Sequence, residues 1–511
     1  MSINRRQILQ GAAAITGTAL LSACGAASVR PRIAAYPFQL GVASGEPTPD
    51  GVVLWTRLAP QPLARDWGMP PLDVELSWEL AQDEQFSQIV RQGRHIARPQ
   101  SAHSVHVEVE GLLPNRVYWY RFLADGEVSP VGRTRTTPLP GSDVASLRYA
   151  FSACQRYEDG YYAAYRHMVA DDPDLIIFLG DYIYEQAPRN GLPRRHSAGE
   201  ARDLDSYRRR YGCYKRDPQL QLAHASAPWM SIWDDHETKN NYGPNYTPDG
   251  SSPAQFLKRR AAAYQAYYEH MPLRRRSMPS GMEMRLYRSL SWGRLAQFQF
   301  LDTRQYRDQP PCESESYSRK LIRDCAERHD PRRSLLGASQ EQWLREGLAS
   351  STARWNIVAQ QYVMVELKRR AGGGDWGYGN DGWDGYPANR NRLLEQLAQV
   401  SNPMVLCGDM HSFGASDLRA SADSPVVAPA FLGGAISSPG QDYASMLELQ
   451  QDNADFRFVD NRVRGYALAN VSATSTDIAY RALDDVTDPD SPISDLVKFS
   501  LEAGNPEFRQ A

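Results

Sequence analysis

The strongest constraint on this chain is the stretch DLIIFLGDYIYE, residues 174–185. Leu175 to Leu179 form an apolar run with the length and composition of a buried strand. The run stops at Gly180, and Asp181 and Tyr184 follow three residues apart. A carboxylate and a phenol delivered just past a strand's C-terminal end sit where α/β sheets carry their chemistry. Taken alone, Asp181 would serve equally well as a helix cap. Three other apolar runs end the same way, however. LRYAFSA leads to Cys154, PWMSIW to Asp234-Asp235-His236-Glu237, and PMVLCG to Asp409-Met410-His411. Four strand ends that each present ligating groups predict one convergent site.

Ahead of these runs, residues 38–137 read as all-β, with strands over 52–59, 73–81, 103–112 and 117–126. Val105, Val107 and Val109 alternate with His106, Glu108 and Glu110, which puts His106 on a solvated face. Leu112-Leu113-Pro114 followed by Tyr118 resembles the tyrosine corner of immunoglobulin-like and fibronectin-type sandwiches. PLPGSDVAS, 138–146, reads as a linker, and residues 147–480 alternate strands with helices in the α/β manner. Helices are expected over 160–171 and 254–270, and a hairpin over 284–303 turning at Ser291-Trp292-Gly293. Eight arginines and one lysine over 187–217 read as a solvated insertion, with a substrate-steering rim as the sharper alternative. The Gly-rich segment 371–387 reads as a binding loop or lid, and residues 481–511 as a tail with a final helix near Ile493 to Leu501.

The first 30 residues read as a targeting segment and are set apart from the fold. Asn4-Arg5-Arg6-Gln7-Ile8-Leu9-Gln10 resembles a twin-arginine export motif, and Leu21-Ser22-Ala23-Cys24 a lipobox that would lipidate Cys24. Ordinary cleavage nearby, with Cys24 lost, is the plainer alternative. The expected location is therefore periplasmic, or membrane-anchored outside the cytoplasm, with the twin-arginine machinery as a transient partner. No later apolar run reaches the ~18 residues that span a bilayer. A net charge of −3 gives no electrostatic basis for nucleic-acid binding. Of the six cysteines, Cys312 and Cys325 flank a polar loop and could pair in an oxidising compartment, and Cys407 reads as a small buried hydrophobe.

If the four ends converge, the donors divide by hardness. Cys154, Tyr184 and His411 together suit a transition metal, and phenolate points to ferric iron. Asp181, Asp235 and Asp409 suit a hard cation such as calcium, magnesium or manganese. Paired metals are standard apparatus for in-line hydrolysis of phosphate esters.

Gly180-Asp181-Tyr182-Ile183-Tyr184 resembles the GDxxY block of purple-acid-phosphatase-type metallophosphoesterases, with WDDHE and GDMH standing where that superfamily has GNH(E/D) and GHxH. Cys154 replaces the superfamily's first Asp, Asp235 the usual Asn, and Asp409 the first His of the last block. The set FSACQ…GDYIYE…WDDHE…LDTRQYR…GDMH resembles the PhoD-type alkaline phosphatase/phosphodiesterase family from about residue 38 onward. The resemblance implies an α/β fold, a four-layer α/β/β/α sandwich behind a β-sandwich domain. It implies a dinuclear Fe3+ and Ca2+ centre, with Mg2+, Mn2+ or Zn2+ as alternatives for the second metal. Cys154, Asp181, Tyr184 and His411 would hold the first metal, and Asp181, Asp235 and Asp409 the second. The histidine that completes the second set has no counterpart in Ile357-Val358-Ala359-Gln360-Gln361. A metal-bound hydroxide would attack phosphorus, and His236 would bind the phosphoryl oxygen or protonate the leaving group. Arg304 has two readings, a fork for phosphate or a buried structural partner for a carboxylate. A specialised nucleotidase or phospholipid hydrolase of the same fold, and a surface lipoprotein with a dead metallo-domain, are the rival readings.

Overall fold

The computed structural model describes residues 33–312, 321–323, 325–370 and 376–511. The export motif at Arg5-Arg6, the lipobox cysteine Cys24 and the first residues of the Gly-rich segment lie outside the described residues. Two large sheets dominate, one of ten strands and one of seven. In the first, strands Ser146–Ser152, Leu175–Phe178 and Trp229–Ser231 run parallel and adjacent. In the second, Ala296–Phe300, Trp355–Ala359, Pro403–Cys407 and Ala428–Gly433 do the same. Leu175–Phe178, Trp229–Ser231, Trp355–Ala359, Pro403–Cys407 and Ala428–Gly433 are buried at every position, which is why strands of this kind read as apolar runs and not as alternating ones.

The two sheets share one core. Tyr149 of the first meets Phe298 of the second edge-on at 5.4 Å, and Ala150, Ile176, Ile357, Met404 and Phe431 belong to the same cluster. Helix Ala163–Ala170 packs on the ten-stranded sheet. Leu344, Leu348, Leu393 and Leu394, from helices Ala338–Ala349 and Pro387–Leu397, pack with Val358 and Val405 of the seven-stranded sheet. A parallel bridge between Ala153 and Ala435 joins the sheets where their strands end.

The N-terminal strands form where expected, at Gly51–Arg57, Val74–Ala81, Ser104–Val109 and Val117–Ala124. Tyr118 Oη accepts the Leu113 N–H at 2.9 Å, as a tyrosine corner requires. Val42–Thr48, Gly51–Arg57 and Ser104–Val109 are also part of the ten-stranded sheet, through a parallel pairing of Gly45 with Trp229. The linker therefore separates the two regions in sequence but not in the sheet.

Three expectations are corrected. The C-terminal tail is not helical: Ile493–Glu502 and Phe508–Gln510 are strands at the edge of the ten-stranded sheet. His106 is not solvated, because helix Pro253–His270 covers that face. Its Nε2 meets the carbonyls of Tyr268 and Met271 at 2.9 Å, its ring stacks on Tyr268, and burial lowers its pKa to about 4. The arginine-rich insertion is solvated only in part: Arg189, Arg195, Arg202 and Arg216 are exposed, but Arg208 and Arg210 are buried. Arg208 forks onto Glu269 at 2.7 and 2.6 Å, Arg194 pairs with Asp217 at 2.5 Å, and Arg210 donates to backbone carbonyls. Cys312 and Cys325 form a disulfide, with Cα atoms 6.1 Å apart. Cys154, Cys213 and Cys407 are free and buried.

Candidate metal centre

The four strand ends that carry candidate donor groups reach one place. Cys154, Asp181, Asp409 and His411 each take a left-handed backbone, with φ of 55°, 58°, 61° and 54°. Non-glycine residues enter that region at a cost of order 1–3 kcal/mol each and cluster at functional sites. Gly180 (φ 108°) has no alternative, because a Cβ there would lie 2.5 Å from the Cβ of Asp234.

Ligand atoms of Cys154, Asp181 and His411 lie within 4.8 Å of one another, and so do those of Asp181, Asp235 and His236. Asp181 belongs to both sets and therefore stands between them. Tyr184 joins the first set, donating to Asp181 Oδ2 at 2.9 Å and lying 3.1 Å from His411 Nε2. His411 Nδ1 faces the Pro439 carbonyl at 2.8 Å. A carbonyl can only accept, so Nδ1 carries the hydrogen and the Nε2 lone pair is directed at Asp181 and Tyr184. Asp409 is near enough to Cys154 to act on its thiol. Burial first, then Asp181 and Asp409, push that thiol well above its usual range; burial, Asp181 and Cys154 do the same to the Tyr184 phenol. Buried thiol, phenol and carboxylates crowded on one point fit a cation, which would displace the protons they otherwise keep.

Gln360 and Gln361 are committed elsewhere. Gln361 donates to the Trp233 and Leu301 carbonyls and accepts from Thr303, while Gln360 bonds to Trp383, Tyr362 and Cys407. Neither completes the second ligand set.

His236 lies on the Asp235 side, 10% exposed, with its ring stacked 4.1 Å from Tyr184. Its Nδ1 donates to Glu185 Oε2 at 2.7 Å. Burial opposes charge on the imidazole, but Asp181, Asp235 and Glu185 outweigh it and lift its pKa to about 10. Glu185 is the last residue of GDYIYE, a motif that signals its position but not this role. Ser438 was also hidden in the sequence. It follows the strand Ala428–Gly433, donates to Tyr184 Oη at 2.8 Å and accepts the Arg156 N–H at 3.0 Å. The signal for it was one more apolar run, APAFLGG, ending in small polar residues.

Arg304 is wholly buried. It pairs with Asp234 at 2.5 Å, Asp235 at 3.4 Å and Asp381 at 3.2 Å, and its guanidinium lies 4.4 Å from the centre of the Tyr362 ring. Of its two readings the geometry favours the structural one. Asp381 belongs to the Gly-rich segment, and Arg307 holds it too at 2.8 Å. That segment is thus tied to the loop carrying Asp235.

A family model described as PhoD-like phosphatase matches residues 149–480, and the model for that family's N-terminal domain matches residues 23–138. The chain belongs to the PhoD-like phosphatase family. Alkaline phosphatase D of Bacillus subtilis (strain 168) is 44% identical over 536 aligned residues, spanning 100% of this chain and 89% of that protein. A solved structure of PhoD superposes with a TM-score of 0.89 at 44% identity, covering 94% of this chain and 93% of the other. Purple acid phosphatase 23 of Arabidopsis thaliana is 28% identical over 140 residues, 26% of this chain and 30% of its own length. This PhoD-like phosphatase is accordingly a phosphoester hydrolase.

Proposed function

We propose that the chain is an exported alkaline phosphatase/phosphodiesterase built on a four-layer α/β/β/α framework with a two-metal centre. The observation that carries this is that Asp181 lies within 4.8 Å of ligand atoms of Cys154 and His411 on one side and of Asp235 and His236 on the other. Cys154, Asp181, Tyr184 and His411 would hold the first metal, for which thiol, phenol and imidazole suit Fe3+. Asp181, Asp235 and Asp409 would hold the second, for which carboxylates suit Ca2+. Such a pair supplies Lewis-acid polarisation of a phosphoryl group and lowers the pKa of water at the site.

The chain's own residues orient and protonate. Glu185 fixes the His236 ring through Nδ1, which leaves Nε2 to donate to a phosphoryl or leaving-group oxygen. Ser438 and the Pro439 carbonyl hold Tyr184 and His411 in place. Arg304 fixes Asp234 and Asp235.

The two donor sets predict unequal metals. A calcium-selective chelator should abolish ester hydrolysis while leaving a visible phenolate-to-iron band, and added calcium should restore the rate. Tyr184→Phe should bleach or shift that band. Elemental analysis with absorption spectroscopy checks both outcomes; a colourless, fully active protein with two zinc ions would contradict the iron assignment.

The Arg5-Arg6 pair supports export by the twin-arginine route, and Cys24 supports a lipid anchor. Changing both arginines to lysine should retain active enzyme in the cytoplasm. Unchanged activity in the periplasmic fraction would sink that reading.

A further inference from the structure

Beside the ligand cluster lies a cavity of about 400 Å3 that takes Asp409 and His411 as part of its own wall. Its lining takes Leu321, Val363, Leu367 and Met410 together with the aromatic residues Tyr362 and Trp383. Arg369 is the one arginine of the lining, and Asp381 and Asp384 join Asp409 as its carboxyl groups. Leu321 comes from the strand that pairs with Tyr378 and Gly379, so the Gly-rich segment helps to close the cavity on one side. Neither Asp235, His236 nor Glu185 lines it. The cavity therefore takes in the Asp409–His411 side of Asp181 and reaches Asp381, while the imidazole assigned to the departing alcohol is not part of its wall.

We propose that this cavity holds the retained alcohol of a phosphodiester and favours a compact, ring-bearing one. The proposal rests on the site reading given above. In the hydrolysis it describes, a water oxygen bonds to phosphorus and the bond to the departing alcohol breaks. That alcohol takes up a proton, and the second ester bond stays intact with its alcohol in the cavity. A volume of about 400 Å3 sits toward the lower end for small-molecule sites. One ring or a nucleoside-sized group fits there; a pair of long acyl chains does not. Tyr362, Trp383 and the aliphatic side chains of the wall favour an organic substituent over a bare phosphate oxygen, so diesters gain more from the cavity than monoesters do.

Three substrates with one leaving group test this: phenyl 4-nitrophenyl phosphate, methyl 4-nitrophenyl phosphate and 4-nitrophenyl phosphate. The metal-loaded wild type should favour the phenyl diester over the methyl diester by roughly tenfold or more in kcat/KM. Leu321→Asp and Val363→Asp each place a charge on the apolar wall, at positions that are exposed and half-buried. Each should cut the phenyl diester's kcat/KM by roughly tenfold or more and leave the methyl diester and the monoester within about twofold. Val363→Ile should keep the preference. A wild type without ring preference, or equal losses on all three substrates in both variants, would overturn the proposal. Failure of the metal-loaded wild type on all three would instead overturn the site assignment, and this proposal with it.

Discussion

Replacing His236 by alanine should lower kcat by ~10²–10⁴-fold while bound metal stays unchanged. The imidazole is held on three sides. Glu185 takes Nδ1 and opposes the imidazolium charge, the Tyr184 ring stacks against it, and Asp181 and Asp235 flank it. A preset proton donor of this kind contributes most when the leaving group is a poor one. The loss should therefore be larger for alkyl esters than for 4-nitrophenyl esters. Glu185→Gln keeps an acceptor for Nδ1 but removes the opposing charge, so kcat should fall by roughly ten- to a hundredfold with KM little changed. Near-normal turnover of an alkyl ester by the alanine variant would remove His236 from the chemistry.

Arg304→Met should destabilise the metal-free protein by about 3–5 kcal/mol, read from the denaturant midpoint at constant m-value. The guanidinium has no exposed surface, and its loss leaves Asp234 and Asp235 buried without their cation. Asp381 suffers less, since Arg307 still holds it. Lysine should not rescue the variant, because one ammonium cannot span three carboxylates from a planar fork. A shift below about 1 kcal/mol would show that the carboxylates find other partners or take up protons at little cost.

The catalytic half of the molecule was legible because its signal is local. A fully buried parallel strand is a short apolar run, and the residues just beyond it are the ones a doubly covered sheet presents together. Cys154, Asp181, Tyr184, Asp235, His236, Asp409 and His411 all follow from that rule. Residues that act through partners far away in sequence were not legible. Glu185 and Ser438 gain their roles from contacts 51 and 254 residues away, respectively. The tail was misread for a different reason. Ile493, Leu496, Val497 and Leu501 fit a helical spacing, yet Val497, Phe499 and Leu501 also alternate with Lys498 and Ser500. In a run this short both periods fit, and pairing with Ser475–Leu483 decides between them. His106 shows the limit of alternation itself. The pattern separates the two faces of a strand but does not reveal that a helix covers the second.

The sheet that runs unbroken from Gln510 to Ser104 through Trp229 also bears on how this enzyme can be divided. The Pro/Gly-rich stretch near residue 140 looks like a convenient place to cut. A fragment starting there would present Trp229–Ser231 as a bare edge, without the strands Val42–Thr48 and Gly51–Arg57 that cap it. It would also uncover the helix face that His106 and Trp55 seal, the indole through a 3.0 Å bond to the Glu269 carbonyl. Open edges of this kind recruit other chains. The N-terminal strands are thus better regarded as a built-in guard against self-association than as a detachable accessory, and shuffling them between homologues would mean recutting the sheet.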